Sequence, residues 1–256
     1  MWPASVVLIL YLGLCAWLWL MQRSLIYFPT AAVDNPLADE LLLDSHGETL
    51  QVWRLSAGNE RAVIYFGGNA EEVSQNSPDM LEHLGDRTIY LVNYRGYGGS
   101  SGSPAEVALF QDALSVYDHV AGQHASVAVI GRSLGSGVAA YLAASRKISR
   151  LVLATPYDSL TGVAQAAYPV FPVALLMRDR FDSLGRAAQI RVPTLIAIAE
   201  LDEVIPRQHS EKLAAAIAPS LVEVTVIEGA THNTIGTVPQ YMWSITRFLN
   251  GPDNER

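Results

Sequence analysis

Residues 127–135 read Val-Ala-Val-Ile-Gly-Arg-Ser-Leu-Gly, and this stretch decides how the rest of the chain is interpreted. Its first residues form a short, mainly β-branched apolar run that is typical of a buried strand. The run stops at a Gly-x-Ser-x-Gly pentapeptide centred on Ser133, and small apolar residues predict a helix over 136–144. A strand, a sharp turn and a helix in this order hold a serine strained and exposed at the end of a sheet strand. The pattern therefore predicts Ser133 as a nucleophile.

The two glycines beside Ser133 have a steric explanation. Gly131 and Gly135 lie where strand and helix close tightly around the turn, so we expect a Cβ at either position to collide with its neighbours. The pentapeptide by itself is a common string in protein sequences. Its position between a predicted buried strand and a predicted helix is what gives it weight.

Length and composition limit the class of protein. The 256 residues fit one large domain plus an appendage, with half of the residues apolar and 16% charged. The net charge of −8, without a Lys/Arg cluster, argues against a nucleic-acid partner. Cys15 is the only cysteine, which excludes disulfides within the chain and cysteine-based metal sites or nucleophiles in the globular part. We expect neither a cofactor nor a metal.

The amino terminus predicts a membrane anchor over residues 1–23. Residues 1–21 contain no charged side chain and are about as long as a helix that crosses a bilayer. Tryptophans near both ends fit the headgroup level: Trp2, Trp17 and Trp19. A cleaved signal peptide is the competing interpretation, but a basic start and a small-residue cleavage site are missing; a buried core helix is the third. Arg23 is the only basic flank, and one charge does not fix the orientation.

Strands and helices alternate along the remaining chain. The predicted strands are 41–43, 50–55, 62–66, 88–92, the run before Ser133, 151–154, 194–199 and 222–227. The predicted helices are 73–84, a segment ending near 120, 136–144, 210–217 and 239–249. For the second helix, Ser103, Pro104 and Glu106 form a capping-box pattern. This alternation predicts an α/β fold, a mainly parallel sheet with helices on both faces.

The domain organisation follows from these elements. A connector is predicted over 24–40, the α/β domain over 41–250 and a short tail over 251–256. Residues 156–190 form a long insertion with prolines and aromatic residues. Such a segment above the carboxyl edge of a sheet is typical of a lid or a substrate wall, although packing decoration is the alternative.

A serine nucleophile needs a base, and His232 is the candidate. It follows the last predicted strand in a loop of small residues, on the same side of the sheet as Ser133. The other histidines lie in predicted helices, in an early turn or at the opposite end of the sheet, and they are interpreted as ordinary surface or packing residues: His46, His83, His119, His124 and His209.

The base needs an orienting acid, and Asp202 is the preferred residue. It follows the strand 194–199 at its carboxyl end. Glu200 and Glu203 are close competitors in sequence. Asp158, just after the strand 151–154, is a further alternative, because a side chain at that position can also reach the histidine.

An acyl-transfer site also needs two backbone N–H groups for the developing oxyanion. The N–H of Leu134, directly after the nucleophile, is one candidate. The other lies in the loop Gly67-Gly68-Asn69-Ala70, where we expect the two glycines to let the backbone turn so that the N–H of Asn69 faces Ser133.

Two further features are candidate binding elements. The glycine-rich stretch 95–102 is too long and too late in the chain for a dinucleotide loop, so a tight loop flanking the site is predicted instead. Arg132, inside the pentapeptide, is interpreted as a surface or loop-tethering residue, with contact to an anionic substrate as the alternative.

With these pieces placed, the chain resembles the α/β-hydrolase superfamily. More narrowly, it is similar to the BEM46-like, membrane-anchored serine hydrolases of the ABHD13/ABHD17 type. The chain order Ser, Asp, His is the one expected of α/β-hydrolases. The similarity spans nearly the whole chain and rests on these segments: 23–29 (Arg-Ser-Leu-Ile-Tyr-Phe-Pro), 94–98 (Tyr-Arg-Gly-Tyr-Gly), 131–135, 202–206 (Asp-Glu-Val-Ile-Pro) and 232–233 (His-Asn).

The resemblance implies a catalytic triad of Ser133, Asp202 and His232, with Asn69 and Leu134 as oxyanion donors. Two departures stand out. The family usually has His-Gly-Asn at the oxyanion loop, where this chain has Gly67-Gly68-Asn69. It usually has His-Gly before the acid, where this chain has Ala199-Glu200, so Glu200 stays open as an acid.

The expected function is that of a membrane-tethered serine hydrolase. It would cleave carboxylic esters or thioesters through an acyl-serine intermediate on Ser133, with a small-molecule or lipid-like acyl substrate. A serine aminopeptidase or an acyltransferase on the same triad is the alternative within enzymes. A non-catalytic, membrane-tethered binding protein that kept the fold is the alternative from another class.

Overall fold

Within residues 2–251, which the computed structural model describes, eight strands form one sheet. Their order across the sheet is β1-β2-β4-β3-β5-β6-β7-β8. β1 and β2 are antiparallel to their neighbours, and the remaining strand pairs are parallel. The bounds are β1 Asp39–Ser45, β2 Glu48–Leu55, β3 Arg61–Phe66, β4 Thr88–Val92, β5 Ser126–Arg132, β6 Leu151–Ala154, β7 Thr194–Leu201 and β8 Val222–Thr231. The predicted mainly parallel sheet is confirmed.

Helices cover both faces of this sheet. Their bounds are α1 Trp2–Ile26, α2 Ser77–Leu84, α3 Glu106–Ala121, α4 Leu134–Ser145, α5 Leu160–Ala167, α6 Val173–Leu176, α7 Arg207–Ala216 and α8 Pro239–Leu249. Side chains of β3 show the layering, because Ile64 and Phe66 pack with α3, α4 and α7, whereas Val63 and Tyr65 pack with α2 and α8. Both faces of each central strand are therefore apolar and buried, as a doubly covered parallel sheet requires.

α1 stands apart from these layers. Its segment Ala4–Ile26 has a mean hydropathy of 2.2 and is long and apolar enough to cross a bilayer. Most of its side chains are exposed. The structure describes neither Met1 nor the side chain of Trp2, so the predicted headgroup position of that indole lies outside the described part.

Several predicted boundaries differ from the structure. α1 continues to Ile26, three residues into the predicted connector, because the Tyr27 N–H donates to the Arg23 carbonyl and extends the last turn. The predicted helix 73–84 is a 3₁₀ turn, Val73–Asn76, followed by α2. β8 runs on to Thr231, so most of the predicted loop before His232 is strand. The predicted tail, apart from Gly251, lies outside the described residues.

The predicted capping box at the start of α3 is wrong. The helix begins at Glu106, and its N-cap residue is Ala105, which makes no side-chain cap. The Glu106 carboxylate instead accepts the backbone N–H groups of Arg180 at 2.6 Å and Phe181 at 2.9 Å. The Glu106 carboxylate, which the local pattern assigned to capping the helix start, is thus used for a tertiary contact with the insertion.

Candidate active site

Ser133 lies between the last residue of β5 and the first residue of α4. Its backbone has φ 50° and ψ −116°, a strained conformation for a residue with a side chain. β5 is a central strand, paired with β3 on one side and β6 on the other. The strained turn therefore presents Ser133 at the carboxyl edge of the sheet, where ligands bind in open parallel α/β folds.

The flanking glycines are required by space. A Cβ on Gly131 would stand 2.3 Å from the Gly135 carbonyl oxygen, and a Cβ on Gly135 would stand 2.1 Å from the Phe66 carbonyl oxygen. Real Cβ atoms do not approach backbone atoms so closely, and backbone atoms cannot rotate away as the end of a side chain can. A Cβ at either position would therefore collide with the backbone, as the sequence predicted.

Gly135→Ala is therefore expected to lower the free energy of unfolding by about 3 kcal/mol, because β3 and α4 must move apart. Urea titration of the full chain in detergent micelles measures this change. Gly236→Ala is the matched control, since a Cβ there meets nothing within 4 Å. Equal stability of the two variants would show that the turn at Ser133, residues 131–135 (the serine elbow), does not need a glycine at position 135.

His232 and Asp202 complete a hydrogen-bonded chain with Ser133. His232 Nε2 lies 2.9 Å from Ser133 Oγ, and His232 Nδ1 lies 2.9 Å from Asp202 Oδ2. Both the histidine and the aspartate side chains are almost wholly buried. The Asp202 carboxylate is fixed in turn, because its Oδ1 accepts the backbone N–H groups of Val204 at 3.0 Å and Ile205 at 2.7 Å. This geometry lets the histidine accept the serine proton while the carboxylate holds the ring.

The alternative acids have other partners. Glu200 accepts the backbone N–H of Gly229 at 2.8 Å, and Glu203 accepts the backbone N–H of His232 at 3.3 Å, so neither of these bonds involves the imidazole ring. Asp158 is buried and binds His209 Nδ1 at 2.8 Å and Lys212 Nζ at 2.7 Å. The structure thus brings Asp202, and none of its three competitors, to the ring of His232.

The two segments that carry the predicted oxyanion donors lie together beside Ser133. Leu134 is the first residue of α4, so its N–H has no acceptor within the helix. A Cβ built on Gly68 would stand 3.5 Å from Ser133 Cβ, which places the loop of Asn69 against the nucleophile. Gly67 and Gly68 lack positive φ, and the residue with positive φ is Ala70. The two glycines therefore allow close packing, as at Gly67, where a Cβ would collide with Val73. They are not needed for the backbone turn that the sequence analysis expected.

The Asn69 side chain holds the oxyanion loop to two other segments. Its Nδ2 donates to the Ile26 carbonyl at 2.6 Å, and its Oδ1 accepts the Phe28 N–H at 3.0 Å. Tyr97, from the glycine-rich stretch 95–102, donates its hydroxyl to the same Oδ1 at 2.7 Å. The stretch 95–102 therefore flanks the site as predicted. The end of α1 contacts the oxyanion loop directly.

Sequence reasoning missed Glu71. Its carboxylate accepts Arg132 Nη1 at 2.7 Å, the Gly68 N–H at 2.5 Å and the Tyr65 hydroxyl at 2.6 Å. Arg132 also donates to the His232 carbonyl at 3.1 Å. This ion pair joins the oxyanion loop, the serine elbow and the histidine loop, so Arg132 is a tether, in agreement with the loop-tethering interpretation.

Electrostatics around this pair favour the charged forms. Burial by itself raises the pKa of Glu71, but the Arg132 guanidinium and the hydrogen bonds from Tyr65, Gly68 and Asn76 lower it below its ordinary 4.5. The carboxylate in turn raises the pKa of Arg132 against the opposing effect of burial. The pair is therefore ionised at neutral pH and fixes three loops at once.

Glu71→Gln is expected to lower the free energy of unfolding by about 3 kcal/mol at pH 7, because Arg132 stays buried without its counter-ion. A lowered folded-state pKa means that Glu71 stabilises the fold fully above its ordinary pKa and loses this effect as the pH falls through the folded-state value. The difference in the free energy of unfolding between the wild-type protein and Glu71→Gln should therefore become smaller in acid. Urea titrations at several pH values measure it, with the exposed Glu82→Gln as control; a gap independent of pH contradicts the assignment.

Within residues 2–251, no group of three or more His, Cys, Asp or Glu side chains is placed to hold a metal ion. The reacting groups that the described part brings together are a serine, a histidine and an aspartate, beside the segments that carry the predicted backbone donors. This set is suited to acyl transfer, in which the serine is acylated and then released by water.

Comparison with known proteins agrees with the fold. Residues 61–182 match the family model described as alpha/beta hydrolase fold. An uncharacterized protein of Mycobacterium tuberculosis (strain H37Rv) is 35% identical over 246 residues, covering 90% of this chain and 86% of that protein. Alpha/beta hydrolase domain-containing protein 17C of Xenopus tropicalis is 28% identical over 204 residues, covering 77% of this chain and 64% of that protein.

A solved structure shares the fold. The Pyrococcus furiosus esterase Pf2001 superposes with a TM-score of 0.71 at 18% identity, covering 88% of this chain and 98% of that one. The strand order and the turn at Ser133 between β5 and α4 agree with the description of the family model. The chain belongs to the α/β-hydrolase superfamily.

Proposed function

We propose that this protein is a membrane-anchored serine hydrolase that cleaves carboxylic esters or thioesters through an acyl-Ser133 intermediate. The observation that carries the proposal is the hydrogen-bonded chain from Ser133 Oγ through His232 to Asp202, with heavy-atom distances of 2.9 Å at both steps. These are hydrogen-bonding distances for a nucleophile and its general base.

The proposed reaction has two steps. His232 Nε2 takes the Ser133 proton as Oγ attacks the carbonyl carbon, and the N–H groups of Leu134 and Asn69 stabilise the oxyanion. The protonated histidine then gives its proton to the leaving alcohol or thiol, and the acyl group stays on Ser133. Water, activated by His232, hydrolyses this ester and restores the enzyme.

Asp202 stabilises the charged imidazole through both steps. Its carboxylate is held by the N–H groups of Val204 and Ile205, so it faces Nδ1 before the substrate arrives. Because the carboxylate oxygen accepts from Nδ1–H, the ring is kept in the tautomer whose Nε2 is a free acceptor.

The proposed anchor is α1. Its apolar length fits a membrane-spanning helix, and most of its side chains are exposed in the described part. The resemblance to the BEM46-like hydrolases, which covers the segment just after the helix, supports the same assignment. We place the catalytic domain at the membrane surface, tethered by this single helix.

A substrate panel tests the reaction class. The full chain in detergent micelles is offered p-nitrophenyl esters of increasing chain length, matched thioesters and amino-acid p-nitroanilides. We expect turnover of esters and thioesters and much weaker cleavage of anilides. Preferential cleavage of anilides would favour a peptidase, and transfer of the acyl group to an added alcohol in preference to water would favour an acyltransferase. No turnover of any of these substrates, with Ser133 inert to a fluorophosphonate, would favour a binding protein.

A further inference from the structure

The insertion between β6 and β7 carries an uncharged segment, residues 159–177, that the reaction scheme does not use. It contains α5, α6 and the turn between them, and no residue of α5 is buried. Large apolar side chains point away from the protein: Tyr168, Val170 and Leu175 are 61%, 71% and 81% exposed. A continuous apolar surface of this kind marks an interaction site.

The uncharged segment lies along α1. The helix turns one face towards it, and the buried or half-buried residues of α1 recur at helical spacing: Cys15, Leu18, Gln22 and Ile26. The Tyr11 ring stacks on Phe171 at 5.9 Å, and the Tyr11 hydroxyl donates to the Val170 carbonyl at 2.9 Å. From Tyr11 to Gln22 this contact extends about 16 Å along the helix axis.

Several polar groups at the turn of the segment are bonded within the protein. Gln165 donates to the Phe171 carbonyl at 3.1 Å and accepts the Val173 N–H at 3.2 Å, and Gln22 donates to the Leu176 carbonyl at 3.1 Å. Pro169 and Pro172 bring no N–H at all. Side chains from inside the protein thus take the place of water at the turn, which backbone in a hydrocarbon environment requires.

A polar band marks where the contact with α1 ends. The Arg178 guanidinium lies 4.0 Å over the Trp19 ring, and Arg23 binds Asp179 at 3.1 Å. Tryptophan and arginine are typical of the headgroup level of a bilayer. Tyr11 and Phe171 lie about 12 Å beyond Trp19 along the helix, which is near the depth that interfacial elements reach.

We propose that the uncharged segment, residues 159–177, is immersed in the same bilayer leaflet as the adjoining half of α1, so that the substrate is an amphiphile whose acyl chain enters from the membrane. The Asn69 side chain binds the Ile26 carbonyl and the Phe28 N–H, so the oxyanion loop lies at the end of α1, near the proposed membrane surface. The inference rests on the proposed roles of α1 as anchor and Ser133 as nucleophile, and it adds the bilayer as the partner of the insertion.

Depth-dependent quenching tests the immersion without relying on catalysis. The full chain carries Cys15→Ala and either Leu175→Cys or Val224→Cys, and each new cysteine bears an environment-sensitive fluorophore. Val224 is exposed and apolar but lies near the amino end of β8, at the opposite end of the strands. In phosphatidylcholine vesicles with brominated acyl chains, we expect strong quenching at position 175 and none at position 224. Equal quenching at both positions, or a blue shift at 175 without bromine quenching, overturns the proposal; the latter outcome would assign the surface to a second copy.

A kinetic measurement tests the entry route. We compare turnover of a long-chain ester in vesicles with turnover of p-nitrophenyl acetate in water. Leu175→Glu should lower the ratio of long-chain ester turnover to p-nitrophenyl acetate turnover about tenfold, because a carboxylate is costly in the acyl region of the bilayer. Val224→Glu should leave this ratio unchanged. An unchanged ratio for Leu175→Glu contradicts entry from the bilayer. If the wild-type protein turns over neither ester, the hydrolase assignment fails, while the quenching result still decides the immersion.

Discussion

Replacing Ser133 by alanine is expected to lower kcat for p-nitrophenyl ester hydrolysis about 10⁶-fold, which corresponds to about 8 kcal/mol of transition-state stabilisation. The reason is that the alanine variant cannot form the acyl-serine intermediate. Binding and the oxyanion donors remain, so a residual rate above that of water should persist. Steady-state kinetics on the full chain in detergent micelles measures the loss.

Ser136→Ala is the matched control for that experiment. Ser136 lies in the first turn of α4, and its hydroxyl donates to the Ser133 carbonyl at 2.6 Å, so it is a close serine without contact to His232. We expect this variant to keep most of the activity. Full turnover by Ser133→Ala, or equal losses in the two variants, would contradict the role of Ser133.

Asp202→Asn is expected to lower kcat about 10⁴-fold while the protein stays folded. The amide oxygen of the new side chain can keep the two backbone bonds from Val204 and Ile205, which turns its NH₂ group towards His232. An amide that donates to Nδ1 forces the proton of the ring onto Nε2. In this tautomer Nε2 cannot accept the Ser133 proton, and general-base catalysis is lost.

Glu200→Gln and Glu203→Gln are the controls for the acid assignment. Both carboxylates bind backbone N–H groups and not the imidazole ring, so each substitution should change kcat only about twofold. Circular dichroism spectra check that all three variants are folded. A loss for Glu200→Gln as large as that for Asp202→Asn would move the orienting role to Glu200.

The serine elbow and its partners could be predicted from sequence because the signals are local and because parallel strands end at one edge. Val127–Ile130 reads as a buried strand on its own, and Ser133 follows at the turn. His232 and Asp202 each follow a predicted strand, so the shared carboxyl edge brings them together without any knowledge of side-chain contacts.

Glu71 could not be predicted in the same way. Its three loops meet only after the sheet has formed, and its partner Arg132 is 61 residues away in sequence. One signal was available: an arginine at the end of a buried strand needs a counter-charge, and acidic residues follow the oxyanion loop directly. Glu106 shows the opposite error. The local sequence predicted a capping box, but the Glu106 carboxylate accepts the backbone N–H groups of residues 180–181 instead.

The contact between α1 and the insertion was also beyond sequence reasoning. Periodicity identifies a helix but does not say what covers it, and Tyr11 and Val170 are 159 residues apart. The absence of charge over residues 159–177 was visible in the sequence, and it gains meaning only beside the helix that we propose as the membrane anchor. The proposed substrate class therefore rests on a tertiary contact, whereas the predicted reacting residues rest on local sequence.

Trapping the acyl-enzyme tests the central claim most directly. The full chain is mixed rapidly with excess p-nitrophenyl ester, quenched in acid, digested and analysed by mass spectrometry. We predict that the peptide containing Ser133 gains the mass of the acyl group, that fragmentation places it on Ser133, and that His232→Ala abolishes it. Turnover of the ester with no acyl group on Ser133 at any time, or with the acyl group on another residue, would contradict the account.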